Sequence, residues 1–150
     1  ESFKLNENNF DIANTIKKIY KKYQGIAEDK EIEIITNIQD TYEFNGDERL
    51  LENAISNVVG NAVMYSPKKA KVFIDFKDKV MKIENTGIHI ENEDLKQLFN
   101  PFFRVDKARG RNTGGSGLGL YIAKTIFDYH NISYKVENTA RGVLFTIELP

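Results

Sequence analysis

Apolar positions recur in two periods along the chain, and each change of period marks a new element. Ile12, Ile16, Ile19, Tyr20 and Tyr23 share one face of a predicted helix that Asn9 or Asp11 can cap. Lys17, Lys18, Lys21 and Lys22 fall largely on the opposite face, where solvation accounts for them. Residues 2–5 predict a short strand, and 31–38 alternate with β-branched residues, as a strand does. After an extended piece at 42–44, Asn45-Gly46-Asp47 turns into a second helix, Glu48–Tyr65. Residues 71–76 and 79–84 alternate around Lys77-Asp78, and 132–138 and 143–149 alternate around Arg141-Gly142, which predicts two hairpins. Between them lie an irregular segment, 87–116, with a short helix at 93–98, and a third long helix, Gly119–Tyr129. So long a loop in a compact domain is usually functional or mobile. The sum is an α/β (α+β) two-layer sandwich: a mixed, mostly antiparallel sheet of about five strands, covered on one face by three helices.

Composition narrows the picture. A chain of 150 residues, 41% hydrophobic and 29% charged, is expected to form one domain with a single core. A net charge of -1 gives no electrostatic case for nucleic acid or a bilayer surface. Without cysteine there is no disulfide or thiolate chemistry. No apolar run approaches the roughly 20 residues of a membrane span. The chain starts at Glu1 without a methionine, and we expect it to be a piece of a longer protein.

Two stretches carry candidate chemistry. Gly114-Gly115-Ser116-Gly117-Leu118-Gly119-Leu120 runs straight into the third helix. Bare backbone amides there, backed by a helix N-terminus, suit a phosphate; a tight helix entry is the alternative. Asn57 and Asn61 lie four apart in the second helix and project from one face. Solvent exposure or a bond to a neighbouring loop explains such asparagines in one reading; in the other they are neutral oxygen ligands for Mg2+, which shares its shell with water and nucleotide phosphates.

Four motifs in order then resemble those of sensor histidine kinases. Residues 57–67, NVVGNAVMYSP, are similar to the N box; Ile83-Glu84-Asn85-Thr86-Gly87 to the first glycine box; Phe99-Asn100-Pro101-Phe102-Phe103-Arg104 to the F box; and residues 115–120 to the second glycine box. Phe145-Thr146-Ile147 resembles the closing strand, so the motifs span about two-thirds of the chain. The resemblance is to the catalytic ATP-binding domain of that family, in the gyrase–Hsp90–kinase–MutL superfamily. It implies a Bergerat fold with a long ATP lid, ATP between helices and lid, and Mg2+ on the phosphates. Residue by residue it implies Asn61 as metal ligand with Asn57 supporting the metal or its waters, and Tyr65 against the purine or half-buried in the core. It further implies Gly115, Gly117 and Gly119 at the phosphates, Asn85 at the adenine amino group, and Leu118, Gly87 and Thr146 as further cofactor-binding positions. Arg104 and Lys107 are expected at the γ-phosphate, with Arg109 and Arg111 as solvated lid residues. Phe99, Phe102 and Phe103 are expected as hinge packing rather than ligand contacts, and as a docking surface for the helices of a phosphoacceptor domain. Asn57 stands where the ATP-hydrolysing branch has a glutamate base, and a carboxamide takes up no proton at neutral pH. Neither His89 nor His130 sits in a phosphoacceptor motif. The expected role is therefore γ-phosphoryl transfer from ATP to a histidine on a dimerisation domain outside this chain, for relay to a response regulator. The expected setting is a cytoplasmic domain, monomeric alone, of a membrane-anchored, homodimeric parent.

Three positions depart from the family pattern. Asn85 replaces the usual aspartate, exchanging a charge-assisted hydrogen bond to adenine for a neutral one, which predicts roughly tenfold weaker ATP binding. An aspartate repels the guanine carbonyl oxygen and a carboxamide need not, so discrimination against GTP is expected to relax. His89 replaces a glycine, its ring either covering the purine pocket or facing solvent. Met64 replaces a basic residue near the phosphates, leaving that charge to Arg104, Lys107 and the metal; a weakly binding regulatory module is the rival reading.

Overall fold

A computed structural model describes residues 3–105 and 117–150. Four antiparallel or parallel pairings join five strands in the order β2-β4-β5-β7-β6. They are β2 (Glu33–Ile38), β4 (Lys71–Lys77), β5 (Val80–Thr86), β6 (Ser133–Asn138) and β7 (Gly142–Glu148). Only β2 and β4 run parallel, so the sheet is mixed and mostly antiparallel, as expected. Three long helices cover one face: α1 (Ile12–Asp29), α2 (Glu48–Tyr65) and α4 (Gly119–Tyr129). A single turn, α3, spans Asn92–Leu95 and is shorter than the sequence pattern predicts.

Alternation along the strands sets what faces the helices. Val72, Ile74 and Phe76 of β4, Met81 and Ile83 of β5, and Val143, Phe145 and Ile147 of β7 are all buried. Against them pack Leu51, Ile55, Val58 and Ala62 of α2 and Ala123 and Phe127 of α4. Each such aliphatic or aromatic side chain contributes roughly 1.5–3 kcal/mol by leaving water.

Of the strand expected at 2–5, residue 2 lies outside the described residues and 3–5 form no strand: β1 lies at Asn8–Asp11 and pairs antiparallel with β3 (Glu43–Gly46) as a separate two-stranded sheet. Phe10 lies opposite Phe44 in that register, and the aromatic pair outweighs the weak alternation upstream. Asp11, not Asn9, caps α1, its carboxylate accepting from the Ala13 and Asn14 amides. Asp47 caps α2 through the Leu50 amide. The β4–β5 turn centres on Asp78 and Lys79, both with positive φ (49° and 75°), one residue beyond its sequence placement.

Candidate functional site

A cleft of about 360 Å3 opens between α2, the start of α4 and the inner face of β5 and β7. That size suits a small ligand. Its wall is apolar at one end, where Ile88, Ile90, Leu98, Val143 and Phe145 meet. Asn57, Asn61, Arg104, Gly117 and Gly119 line the polar end. The two asparagines and the glycine run, separated by more than fifty positions in the chain, thus share one cavity.

The polar end is held from several sides. Asn57 Nδ2 donates to Asn53 Oδ1 at 2.9 Å, which fixes the amide orientation. A Cβ on Gly119 would lie 3.3 Å from Asn57 Oδ1, so the start of α4 passes directly beside that oxygen. Gly117 has φ of 85°, and a Cβ there would meet the Phe102 backbone at 2.7 Å. Phe102 N–H donates to Gly117 C=O at 3.0 Å. Glycine is required at 117 on both counts, and the contact ties the F-box segment, with Arg104, to the glycine run. Lys30 closes the other end of α2, donating to the Val63 and Met64 carbonyls at 3.1 and 2.7 Å. Burial pulls its ammonium below the ordinary lysine value.

The apolar end is stitched to the sheet edge. Asn138 grips the Ile90 backbone twice, accepting from its N–H at 3.0 Å and donating to its C=O at 2.6 Å. His89 Nε2 bonds the Thr139 carbonyl at 2.8 Å on an exposed surface, so the ring faces solvent rather than the cleft. Asn85 occupies the inward position of β5 next after Met81 and Ile83, and is 3% exposed. Its carboxamide makes no hydrogen bond within the described residues, although it lines the cleft. Among the described residues no buried side-chain nitrogen or oxygen lacks a partner, so the polar atoms of this amide are open to the cleft rather than sealed from water.

Not every expected site residue is brought in. Thr146 follows Phe145 and therefore points to the opposite face of the sheet, between Lys82 and Lys135 in register; strand alternation removes it from the cleft lining. Gly87 shapes the turn after β5, with φ of 86° and its N–H on the Arg141 carbonyl at 3.0 Å, but is not part of the lining. Leu118 caps α4 between two lining glycines without lining the cleft itself. Tyr65 and Met64 do line it, half-buried. Lys107, Gly115, Arg109 and Arg111 lie outside the described residues. Sequence reasoning missed Tyr23, Asn53, Asn138 and the Ile88–Ile90 wall. A spacing of four linking Asn53, Asn57 and Asn61 was the one available signal.

Chemically, the described lining holds no Asp, Glu or His. No group of three such residues that would bind a metal unaided occurs among the described residues. The donor set instead comprises neutral carboxamide oxygens. These fit Mg2+ that arrives with phosphate and keeps much of its water.

Comparison with known proteins agrees with this geometry. The family described as histidine kinase-, DNA gyrase B-, and HSP90-like ATPase matches residues 46–150. The sensor protein VanSB of Enterococcus faecalis is 37% identical over 93% of this chain and 32% of its own length. The sensor-like histidine kinase SenX3 of Mycolicibacterium smegmatis is 37% identical over 93% of this chain and 38% of its own. The chain thus spans about a third of these curated relatives. The mycobacterial sensor histidine kinase MprB superposes with a TM-score of 0.80 at 27% identity, covering 95% of this chain and 97% of that one.

Proposed function

The chain belongs to the family of histidine kinase-, DNA gyrase B-, and HSP90-like ATPases, and from that premise we propose that it is the single ATP-binding catalytic domain of a two-component sensor kinase. One observation carries the reading. Asn57, Asn61, Gly117 and Gly119 converge on a cleft whose described lining offers no proton acceptor for water. Such a site binds and orients a nucleotide, and leaves the nucleophile to come from elsewhere.

In this proposal the purine lies against Tyr65, Ile88 and Ile90 with its polar edge on Asn85. The triphosphate runs toward the glycine amides and Arg104, with Lys107 and Gly115 as further contacts. Asn61, with Asn57 beside it, would hold Mg2+, which neutralises charge on the transferring phosphoryl group. A histidine on the dimerisation domain of the same protein attacks the γ-phosphorus as its bond to the ADP oxygen breaks. The phosphoryl group then passes to an aspartate of a response regulator. No helix among the described residues is long and apolar enough to cross a membrane. The proposed setting is the cytoplasmic side of a membrane-anchored homodimeric parent.

Met64 favours a second reading. A thioether in the lining supplies no charge to phosphate, as in a weakly binding regulatory module. A fluorescent ATP analogue, titrated with and without Mg2+, followed by phosphotransfer to a supplied helical-hairpin domain, separates the readings. Magnesium-dependent binding with transfer is expected. Binding without transfer would favour the module, and rapid ATP hydrolysis by the chain alone would favour a gyrase-type ATPase.

A further inference from the structure

Helix α1 lies outside the residues matched by the family, yet it reaches the polar end of the cleft. Tyr23 lines the cleft together with Asn57, Gly60 and Asn61. It gets there because residue 60 has no side chain: a Cβ on Gly60 would lie 2.6 Å from the Tyr23 hydroxyl oxygen. That hydroxyl is 3.3 Å from both the Ser56 carbonyl oxygen and Ser56 Oγ. A second recess begins on the far side of Tyr23 and Asn57, and those two residues are common to both cavities.

The second recess carries the positive charge that Met64 does not supply. Lys22 and Arg49 line it, with Glu52, Asn53 and Ser56. Glu52 is engaged by Lys18 at 3.5 Å. Lys22 has no carboxylate partner among the described residues. Its Nζ instead donates to Ser56 Oγ at 2.9 Å and sits 5.3 Å from the centre of the Tyr23 ring. Ser56 is buried, and this bond turns the ammonium of the exposed Lys22 toward α2 at the edge of the recess.

We propose that Lys22 and Tyr23 form a shelf from α1 that contacts the terminal phosphate of a nucleoside triphosphate, where the polar end of the cleft opens past Asn57. The inference rests on the nucleotide reading above and adds specificity residues to it. In this proposal a triphosphate running from Asn85 toward Asn57 brings its last group to Tyr23 and Asn57, the residues common to the two cavities. The Lys22 ammonium keeps N–H groups beyond its Ser56 bond for that phosphate, while the Tyr23 hydroxyl, which donates to the Ser56 carbonyl, holds the ring at the boundary of the two cavities. The shelf therefore distinguishes triphosphate from diphosphate, and favours release of the nucleotide once the γ-phosphoryl group has gone.

Isothermal titration of Mg-ATP and Mg-ADP into the chain tests this. Lys22→Gln is expected to raise the ATP Kd about fivefold while the ADP Kd moves by less than about twofold. Lys22→Arg, which keeps the charge, is expected to return ATP binding to within about twofold of the original. Tyr23→Phe, which removes only the hydroxyl, is expected to give a smaller loss with the same preference for ATP. Equal losses for both nucleotides would show a merely structural role, and unchanged affinities would show none; either overturns the shelf. If the original chain bound neither nucleotide, the nucleotide reading itself would fall, and the shelf with it.

Discussion

His130 and Asn85 are both buried polar residues, at 7% and 3% exposure, yet the regions around them treat polarity in opposite ways. Behind α2, His130 uses both ring nitrogens. Nδ1–H donates to the Ile126 carbonyl at 2.8 Å, and Nε2 accepts from the Asp47 N–H at 3.0 Å. That second bond satisfies one of the amides that a helix start leaves open, and it ties the end of α4 to the start of α2. At the cleft wall Asn85 has neither of its groups paired within the described residues. A satisfied buried group rigidifies a fold, whereas an amide whose polar atoms open into a cleft is available to a ligand.

The comparison can be broken from either side. The largest expected effect is at the wall behind Asn85. A Cβ on Gly142 would fall inside the Asn85 carbonyl oxygen and lie 2.8 Å from Thr86 Cα. Both are backbone atoms of the paired strand, so nothing can swing away. Gly142→Ala should cost more than about 3 kcal/mol and lower Tm by roughly 10 °C. A Tm close to the original in thermal unfolding would mean that β5 and β7 are not so tightly apposed.

Next in size, His130→Ala opens a cavity and strands the Asp47 N–H. Denaturant unfolding should show a loss of about 2–3 kcal/mol, with ATP affinity within about twofold of the original. If ATP binding collapsed while stability held, the two regions would have been assigned the wrong way round.

Asn85→Ala is expected to do the reverse: about tenfold weaker ATP binding with no fall in Tm, since no internal bond is lost. Asn85→Asp should tighten ATP binding about tenfold and raise the preference for ATP over GTP. Parallel titrations with both nucleotides read this, and an unchanged ratio would remove the idea that the carboxamide relaxes base choice.

The smallest effect concerns pH. Burial alone would raise the Glu84 carboxyl, but hydrogen bonds from Arg141 and Thr139, with the Arg141 charge, hold it below its ordinary value. Its unfolded-state pKa is therefore the higher of the two. Its contribution to stability is complete above that ordinary value of 4.5 and is lost as pH falls through the depressed one. Unfolding midpoints for Glu84→Gln between about pH 3 and pH 6 should show a flatter acid limb than the original chain. Equal slopes would take Glu84 out of the account.

Much of the architecture could be read from one-dimensional periodicity. The spans of α2 and α4, the two hairpins and the mixed sheet follow from alternation and helical spacing, because burial imposes those periods directly. Asn57 and Asn61 were legible for the same reason, since a spacing of four puts two amides on one helix face. Thr146 was misplaced at the residue level: a motif names a segment, whereas the side of the sheet depends on parity, and Phe145 and Ile147 take the inward positions.

The sequence by itself determined which segments are helices and strands, which faces they bury, and that amide-bearing and glycine-bearing segments both exist. Only the tertiary structure decided that they meet. Gly119 comes to rest beside Asn57, Gly117 under Phe102, and Tyr23 over Gly60. Contacts of that kind join residues far apart in the chain through the packing of α1 and α4 on α2, and no local period encodes a distance between two helices.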